Sequence, residues 1–169
     1  MTMRQSRLIV TSGLPGSGKS SVAEGLARAL SVPILAVDPI EAAMWRAHIP
    51  KLMTGIAAYE IAAAAAEENL KLGLSVIVDA VNPIEAAREM WRRLAERQQV
   101  CHCSDPTIHR NRIEARVRGI AGMPEVTWDL VEERRAEYEP WTVDRVTLDT
   151  ANQSPERLVE CVLLRLGEC

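Results

Sequence analysis

The chain carries no excess of positive charge: 20 Lys and Arg stand against 23 Asp and Glu in 169 residues, for a net charge of -3 and a pI near 5.7. A general attraction for nucleic acid or an anionic membrane is thereby excluded, which weighs against a polymer substrate. No apolar run is long enough to cross a bilayer. The stretch from Met1 to Arg7 is short and polar and leads into an apolar run too brief for a signal peptide, so a cytoplasmic protein is the expectation. Cysteine is not patterned for metal either. Cys101 and Cys103 flank His102 with period two, which in a strand puts both thiols on one face and the imidazole on the other. Cys161 and Cys169 offer no second ligand pair, so Cys101 and Cys103 read as small buried hydrophobes and Cys169 as an exposed terminal residue. Linkers and internal repeats are also missing. One domain over residues 1–169 is expected, long enough to bury a sizeable core without disulfides or metals.

What is present is concentrated in Gly13-Leu14-Pro15-Gly16-Ser17-Gly18-Lys19-Ser20, which fills every fixed position of a phosphate-binding P-loop. The apolar run Leu8-Ile9-Val10 precedes it as a buried strand, and Val22, Leu26, Ala29 and Leu30 follow at helical spacing. Glycines at 13, 16 and 18 allow successive N–H groups to turn inward as an anion nest, and the helix opening near Lys19 adds orphan N–H groups and the positive end of its dipole. Lys19 then reaches the β- and γ-phosphates of ATP, and the Ser20 hydroxyl can hold Mg²⁺. A chance Gly/Ser turn accounts for neither the lysine nor the hydroxyl.

Further along, the short strand Ile34 to Val37 ends at Asp38, at the strand edge where open α/β sheets bind ligands. Asp38-Pro39 also reads as a helix cap with first-turn proline, so catalysis and capping both stand. Residues 40 to 48 form a short helix whose Met44 and Trp45 belong either to a substrate flap or to the core, with a loop through Gly55 and an alanine-rich helix over 56–72. The β-branched run Ser75 to Val78 closes on Asp79, a Walker B-like acid suited to Mg²⁺. Asn82-Pro83 supplies cap and first-turn proline for a helix over 84–98. Val100 to Cys103 reads as a strand, and a helix opened by Ser104-Asp105-Pro106 carries His109, Arg110, Arg112, Arg116 and Arg118 before Gly119 and Gly122. Arg112 and Arg116 are four apart on one helical face, a repulsive spacing unless an anion such as a triphosphate lies between them. Arg110 and Arg118 read instead as a solvated charged face with Glu114 as partner. The glycines allow the segment from about 110 to 124 to move as a lid. A helix over 128–138, a strand over 143–149 and a helix over 155–166 complete an alternating α/β chain. The expected fold is a doubly wound parallel sheet of five strands with helices on both faces.

Taken together, Gly13 to Ser20, Asp38, "VIVDAVN" at 76–82, "HRNRIEARVRG" at 109–119, and "YEPW" then "LDT" near the end resemble the small P-loop kinases of the AAA_33 or zeta-toxin-like group. That group includes the kinase domain of polynucleotide kinase, and gluconate kinase and chloramphenicol phosphotransferase are related in build. The resemblance spans about Leu8 to Thr150. It implies the sheet order 2-3-1-4-5, a mobile lid on the helix after the fourth strand, ATP and Mg²⁺ as cofactors, and transfer to a hydroxyl. Asp38 falls where polynucleotide-kinase-like members keep an aspartate that orients or deprotonates the acceptor. Those members often carry an arginine three residues later, where this chain has Glu41, and an acid there would repel a phosphorylated acceptor.

The reading that follows is an ATP-dependent phosphotransferase acting on a small-molecule hydroxyl, with Lys19, Asp38, Arg112 and Arg116 as its catalytic groups. A polynucleotide or nucleotide kinase is the alternative within enzymes, and a nucleotide-binding regulatory protein with little turnover is the alternative outside them. Nothing in the sequence calls for an obligate protein partner, and the base pocket is expected in the stretch after Asp149.

Overall fold

The computed structural model describes residues 6–94 and 98–167. In chain order its elements are β1 (Leu8–Ser12), α1 (Lys19–Leu30), β2 (Ile34–Ala36), α2 (Val37–Arg46), α3 (Lys51–Lys71), β3 (Val76–Asp79), α4 (Glu85–Arg92), β4 (Gln98–His102), α5 (Pro106–Ala115), α6 (Trp128–Glu137), β5 (Val146–Asp149) and α7 (Pro155–Leu166). The strands form one sheet in the order β2-β3-β1-β4-β5, and every pairing is parallel. Every residue of β1 and β3 is buried, as a parallel sheet covered on both faces requires. Among the described residues no helix is long and apolar enough to cross a membrane.

Strand periodicity divides the core into two layers. Leu8, Val10, Val76 and Val78 point to one face and pack with Ala58, Ala62 and Ala66 of α3 and with Trp91 of α4. The methyl side chains, four residues apart, form the α3 stripe that lies against this face. Ile9, Ile77, Cys101 and Leu148 point the other way, onto Val22 and Leu26 of α1 and Leu158 and Val162 of α7. Trp91 is fully buried. An indole of that kind removes about 150–250 Å² from water, worth ~4–6 kcal/mol against an extended chain. Its N–H is not left unpaired, since it donates to Asn82 Oδ1 at 2.7 Å.

Several local expectations are corrected. The helix α3 begins at Lys51, so Gly55 lies inside it: the buried Thr54 hydroxyl accepts from Trp45 Nε1 at 2.7 Å, and the resulting α2–α3 hairpin extends the helix back to Pro50. Met44 is core, not flap. Asn82 does not cap α4, whose N-cap is Ile84 without a side-chain bond. Asn82 is instead buried in the left-handed region at φ 53°, with its side chain shared between Ser12 Oγ and Trp91. The helix itself ends at Arg92, and the remainder of the expected span lies partly outside the described residues. Cys101 is buried, whereas Cys103 follows the end of β4 and is only half-buried. Cys169 lies outside the described residues.

Candidate active site

At the carboxyl edge of the sheet, β1 runs into residues 13–18 and α1 opens at Lys19, with Gly18 as its cap at φ 84°. No side chain caps that helix end, which leaves its N–H groups to an external acceptor. The glycines are required by close approach. A Cβ at Gly13, where φ is 142°, would lie 2.2 Å from the Cys101 carbonyl oxygen, and one at Gly16 would lie 2.6 Å from Ile113 Cδ1. The turn is closed by Ser17 N–H donating to Leu14 O at 3.1 Å. Lys19 is 5% exposed, and Ser17 Oγ is buried without a hydrogen-bond partner among the described residues. A buried hydroxyl with nothing to bond is a costly feature that a ligand oxygen would relieve. Burial beside the loop also pushes the Cys101 thiol up to about 12, which makes it an inert wall and not a nucleophile.

A cavity of about 470 Å³ opens over the loop, walled by Gly16, Lys19 and Ser20 on one side and by Arg112 and Arg116 on the other. Gln153, Pro155 and Leu158, from the turn into α7 and its first residues, close the far end. Arg112 is held by Thr150: its guanidinium donates to Thr150 Oγ1 at 2.8 Å and to Thr150 O at 2.6 Å. The same Thr150 hydroxyl lies 2.8 Å from Ser17 O, so one threonine ties the loop to Arg112. Thr150 is in turn placed by Asp149, which accepts from Ser104 Oγ at 2.7 Å, Ser104 N–H at 3.1 Å and Ala151 N–H at 3.0 Å. The Ser104 hydroxyl, foremost among these donors, holds the Asp149 carboxyl well below the usual carboxylate range. The helix α5 ends at Ala115, so Arg116 sits in extended backbone and not on a helical face with Arg112. Both arginines nevertheless line the cavity.

Asp79 ends β3, is 8% exposed, and accepts from Thr11 Oγ1 at 3.3 Å. With Ser20 it offers hard oxygen donors of the kind Mg²⁺ takes. No group of three acidic, histidine or cysteine side chains among the described residues could hold a metal alone.

Asp38 is not a helix cap. The cap of α2 is Ala36, no side-chain bond closes that end, and Asp38 lies within the first turn. Its carboxylate is ion-paired instead with Arg118, whose side chain is 8% exposed. Arg118 is therefore no solvated surface charge. Arg110 is, pairing with Glu114 at 2.6 Å in the open. Arg46 reaches the same segment by donating to Ala121 O. Glu41 accepts from Thr54 Oγ1 at 2.9 Å. The candidate residues thus fall in two places: Lys19, Ser20, Arg112 and Arg116 line the cavity, while Asp38 with Arg118, at the end of β2, and Asp79 do not.

Two residues escaped the sequence reading. Arg88 is fully buried in α4, donates to Asn82 O at 3.1 Å, Pro140 O at 2.9 Å and Glu139 O at 2.6 Å, and lies 4.2 Å from the centre of the Trp141 ring. It pins the segment after α6 over the sheet edge, and an isolated arginine on a helix gives no sign of this. Thr150 was visible only as part of "LDT".

Residues 8–141 match the AAA_33 family model, described as an AAA domain. The chain belongs to that family. Among solved structures it is similar to a sugar kinase from Janibacter, with 21% identity, TM-score 0.73, and 97% of this chain and 96% of that one covered. A gluconokinase from Sinorhizobium meliloti matches with 25% identity and TM-score 0.66 over 98% and 95% of the two chains. An APS kinase from Mycobacterium tuberculosis, in complex with AMPPNP and APS, matches with 19% identity and TM-score 0.72 over 96% and 98%. No curated protein matches the sequence. The fold is that of the P-loop kinases.

Proposed function

We propose that this protein is an ATP-dependent kinase that moves the γ-phosphoryl group of ATP to a hydroxyl of a small molecule. The observation that carries the reading is a cavity with the buried Lys19 and the half-buried Ser20 on one wall and Arg112 and Arg116 on the other. Three cationic N–H donors converging there, Lys19, Arg112 and Arg116, would stabilise charge spread over a transferring phosphoryl group, which is most of what such catalysis needs. The loop from Gly13 to Ser20 (Leu14, Pro15, Ser17 and Gly18 included) holds the phosphates, and the base lies toward Gln153 and Pro155. Mg²⁺ held by Ser20 and Asp79 would neutralise phosphate charge. Asp38 orients the acceptor hydroxyl and takes its proton as the oxygen bonds to phosphorus and the bond to the bridging oxygen of ADP breaks. The segment from 110 to 124 is the lid, hinged where Thr150 holds Arg112 at the loop, and its closure brings Arg116 to the cavity.

Glu41 lies one turn along α2 from Asp38, and a carboxylate side chain at that position argues against a phosphorylated acceptor. The formal charge of -3 argues the same way against nucleic acid. The gluconokinase and sugar kinase likeness supports a small polyhydroxy acceptor. One observation favours a second reading, a nucleotide-binding protein with little turnover: the Asp38 carboxylate is already ion-paired with Arg118.

Coupled measurement of ADP release across sugars, sugar acids, amino alcohols, aminoglycosides and oligonucleotides tests both, with Lys19→Ala as blank. Acceptor-dependent ADP release is expected with a member of the small-molecule classes. ATP binding without release for any class would favour the second reading, and neither binding nor release would sink the first.

A further inference from the structure

The pairing of Asp38 with Arg118 uses only half of what the arginine offers. Arg118 enters from the irregular segment after α5 with its side chain buried, and its Nη2 donates to Asp38 Oδ2. Its Nε is buried as well and has no hydrogen-bond partner among the described residues. Nε and Nη2 share one edge of the planar guanidinium, where their N–H groups lie parallel and match the two oxygens of a single carboxylate. Asp38 occupies that edge with one oxygen. Neighbouring acids do not complete it. Glu125 receives the Arg118 backbone N–H, at 3.0 Å and 3.1 Å to its two oxygens, and Glu41 is engaged by the Thr54 hydroxyl at 2.9 Å. A buried donor left unpaired is costly, and this one stands beside the carboxylate that the kinase reading gives to the acceptor.

Phosphoryl transfer would deepen the mismatch. In orienting the acceptor hydroxyl and taking its proton, Asp38 either turns from Arg118 or becomes a neutral carboxyl, and in both cases a buried cation loses its counter-charge. One planar anion with two oxygens offsets both deficits: it accepts from Nε and Nη2 together and replaces the charge of Asp38 one for one. A neutral hydroxyl would match one donor and no charge. A phosphate dianion would bring twice the charge to one guanidinium, with Glu41 a turn away. The pair is built to open, because Asp38 is one-third exposed and Arg118 sits on a segment without regular structure, held to α2 by Arg46 donating to Ala121 O.

We propose that Arg118 is the acceptor-recognition residue and that the acceptor is a hydroxy acid, whose carboxylate takes the Nε–Nη2 edge of Arg118 and frees Asp38 for the hydroxyl to be phosphorylated. The inference rests on the kinase reading and narrows its acceptor class. An acceptor without a carboxylate would have to leave Arg118 unmatched in order to reach Asp38.

Two measurements test this. The first needs no turnover: the Arg118 Nε–H resonance, assigned by its loss in Arg118→Gln, is followed by nitrogen-15 NMR with Mg²⁺ and a non-hydrolysable ATP analogue. Glycerate, pentonates and hexonates are added, with glycerol, pentitols and hexitols as matched neutral probes. At least one acid should shift the resonance saturably, and its neutral match should not. The second is acceptor-dependent ADP release, in which that acid should exceed its match in kcat/KM by about 10²-fold or more, the scale of unpairing a buried charge. Arg118→Gln should bring this ratio to about one, and Arg118→Lys, which keeps the charge but not the edge, should leave it in between. A merely structural arginine would lower both rates together and leave the ratio alone; should Arg118→Gln not fold, the ratio in Arg118→Lys decides. No shift with any acid, an equal shift with the neutral probes, or an unchanged ratio in the variants would overturn the proposal, while ADP release with a neutral acceptor would leave the kinase reading intact. Acids that bind without ADP release from any acceptor would fail the kinase reading and overturn the acceptor role of Arg118 with it.

Discussion

The two sides of the site are built differently. Around the cavity, parts are fixed by backbone and by bonds to it: Gly13 sits where a side chain would strike the Cys101 carbonyl, and the Thr150 hydroxyl bonds the Ser17 carbonyl and Arg112 at once. At the end of β2, parts are fixed by side chains exchanged with a segment of no regular structure: Arg118 of that segment reaches Asp38, and Arg46 of α2 reaches Ala121 O. A backbone-built site cannot adapt without unfolding locally. A side-chain ion pair can exchange partners at modest cost, because Asp38 is still one-third exposed. The rigid side suits a ligand common to many enzymes, and the adaptable side suits the ligand that differs among them.

The largest effect expected from this contrast is at Lys19. Lys19→Ala should abolish binding of an ATP analogue and all turnover, because the loop has no other side-chain cation and its surroundings exclude water. Retained affinity, measured by titration calorimetry, would break the comparison at its rigid end. Next come the arginines. Arg112→Ala should slow transfer by about 10³-fold, as loss of a placed arginine does, and Arg116→Ala should follow it. Arg110→Ala should cost little, since its partner is an exposed Glu114. Equal losses at Arg110 and Arg112 in single-turnover assays would mean that a general field, not placement, is at work.

On the adaptable side, Asp38→Asn should leave the melting temperature and ATP affinity near wild type, since no cap bond is lost and the amide oxygen still accepts from Arg118 at the partly exposed Asp38 position. Transfer to the acceptor should fall by roughly 10²-fold, the ordinary scale of acid–base assistance. Full activity in that variant would remove Asp38 from the mechanism and leave its pairing with Arg118 as a structural contact. Much of the loss should reflect alignment more than proton abstraction, because the transition state of phosphoryl transfer is loose.

The same contrast explains what could be read in the sequence. The loop, the strand ending in Asp79 and the alternation of strands and helices are local patterns, carried by neighbouring residues. The role of Arg118 depends on a partner 80 residues away, and Glu114, four residues before it, gave it the look of a solvated surface charge. Asn82 shows a different limit. The pair Asn82-Pro83 has the composition of a helix start, but burial of Trp91 demanded an acceptor for its N–H, and tertiary satisfaction overrode local capping. Thr54 did likewise for the start of α3. Arg88 lies deepest of all, fully buried with backbone carbonyls as partners that no spacing rule encodes.

The smallest expected effect tests the support beneath the rigid side. Asp149 accepts four hydrogen bonds, counting Asn152 Nδ2 at 3.1 Å, and these favour its charged form. Its folded carboxyl therefore lies below the unfolded value of about 3.9. A group depressed in this way contributes stability that is fully present above the unfolded value and is lost as pH falls toward the folded one. Asp149→Asn keeps the shape but turns one acceptor oxygen into a donor facing donors, which should cost about 1–3 kcal/mol at neutral pH. In urea titrations the gap between wild type and variant should hold from pH 7 down to about 4, then narrow below it. Because Asp149 places Thr150, and Thr150 places Arg112, the variant should also weaken phosphoryl transfer less than Arg112→Ala does. A stability gap that stays constant through acid pH would show that shape, not charge, is what Asp149 contributes. A transfer rate as low as that of Arg112→Ala would show that Arg112 depends on Asp149 for its placement entirely.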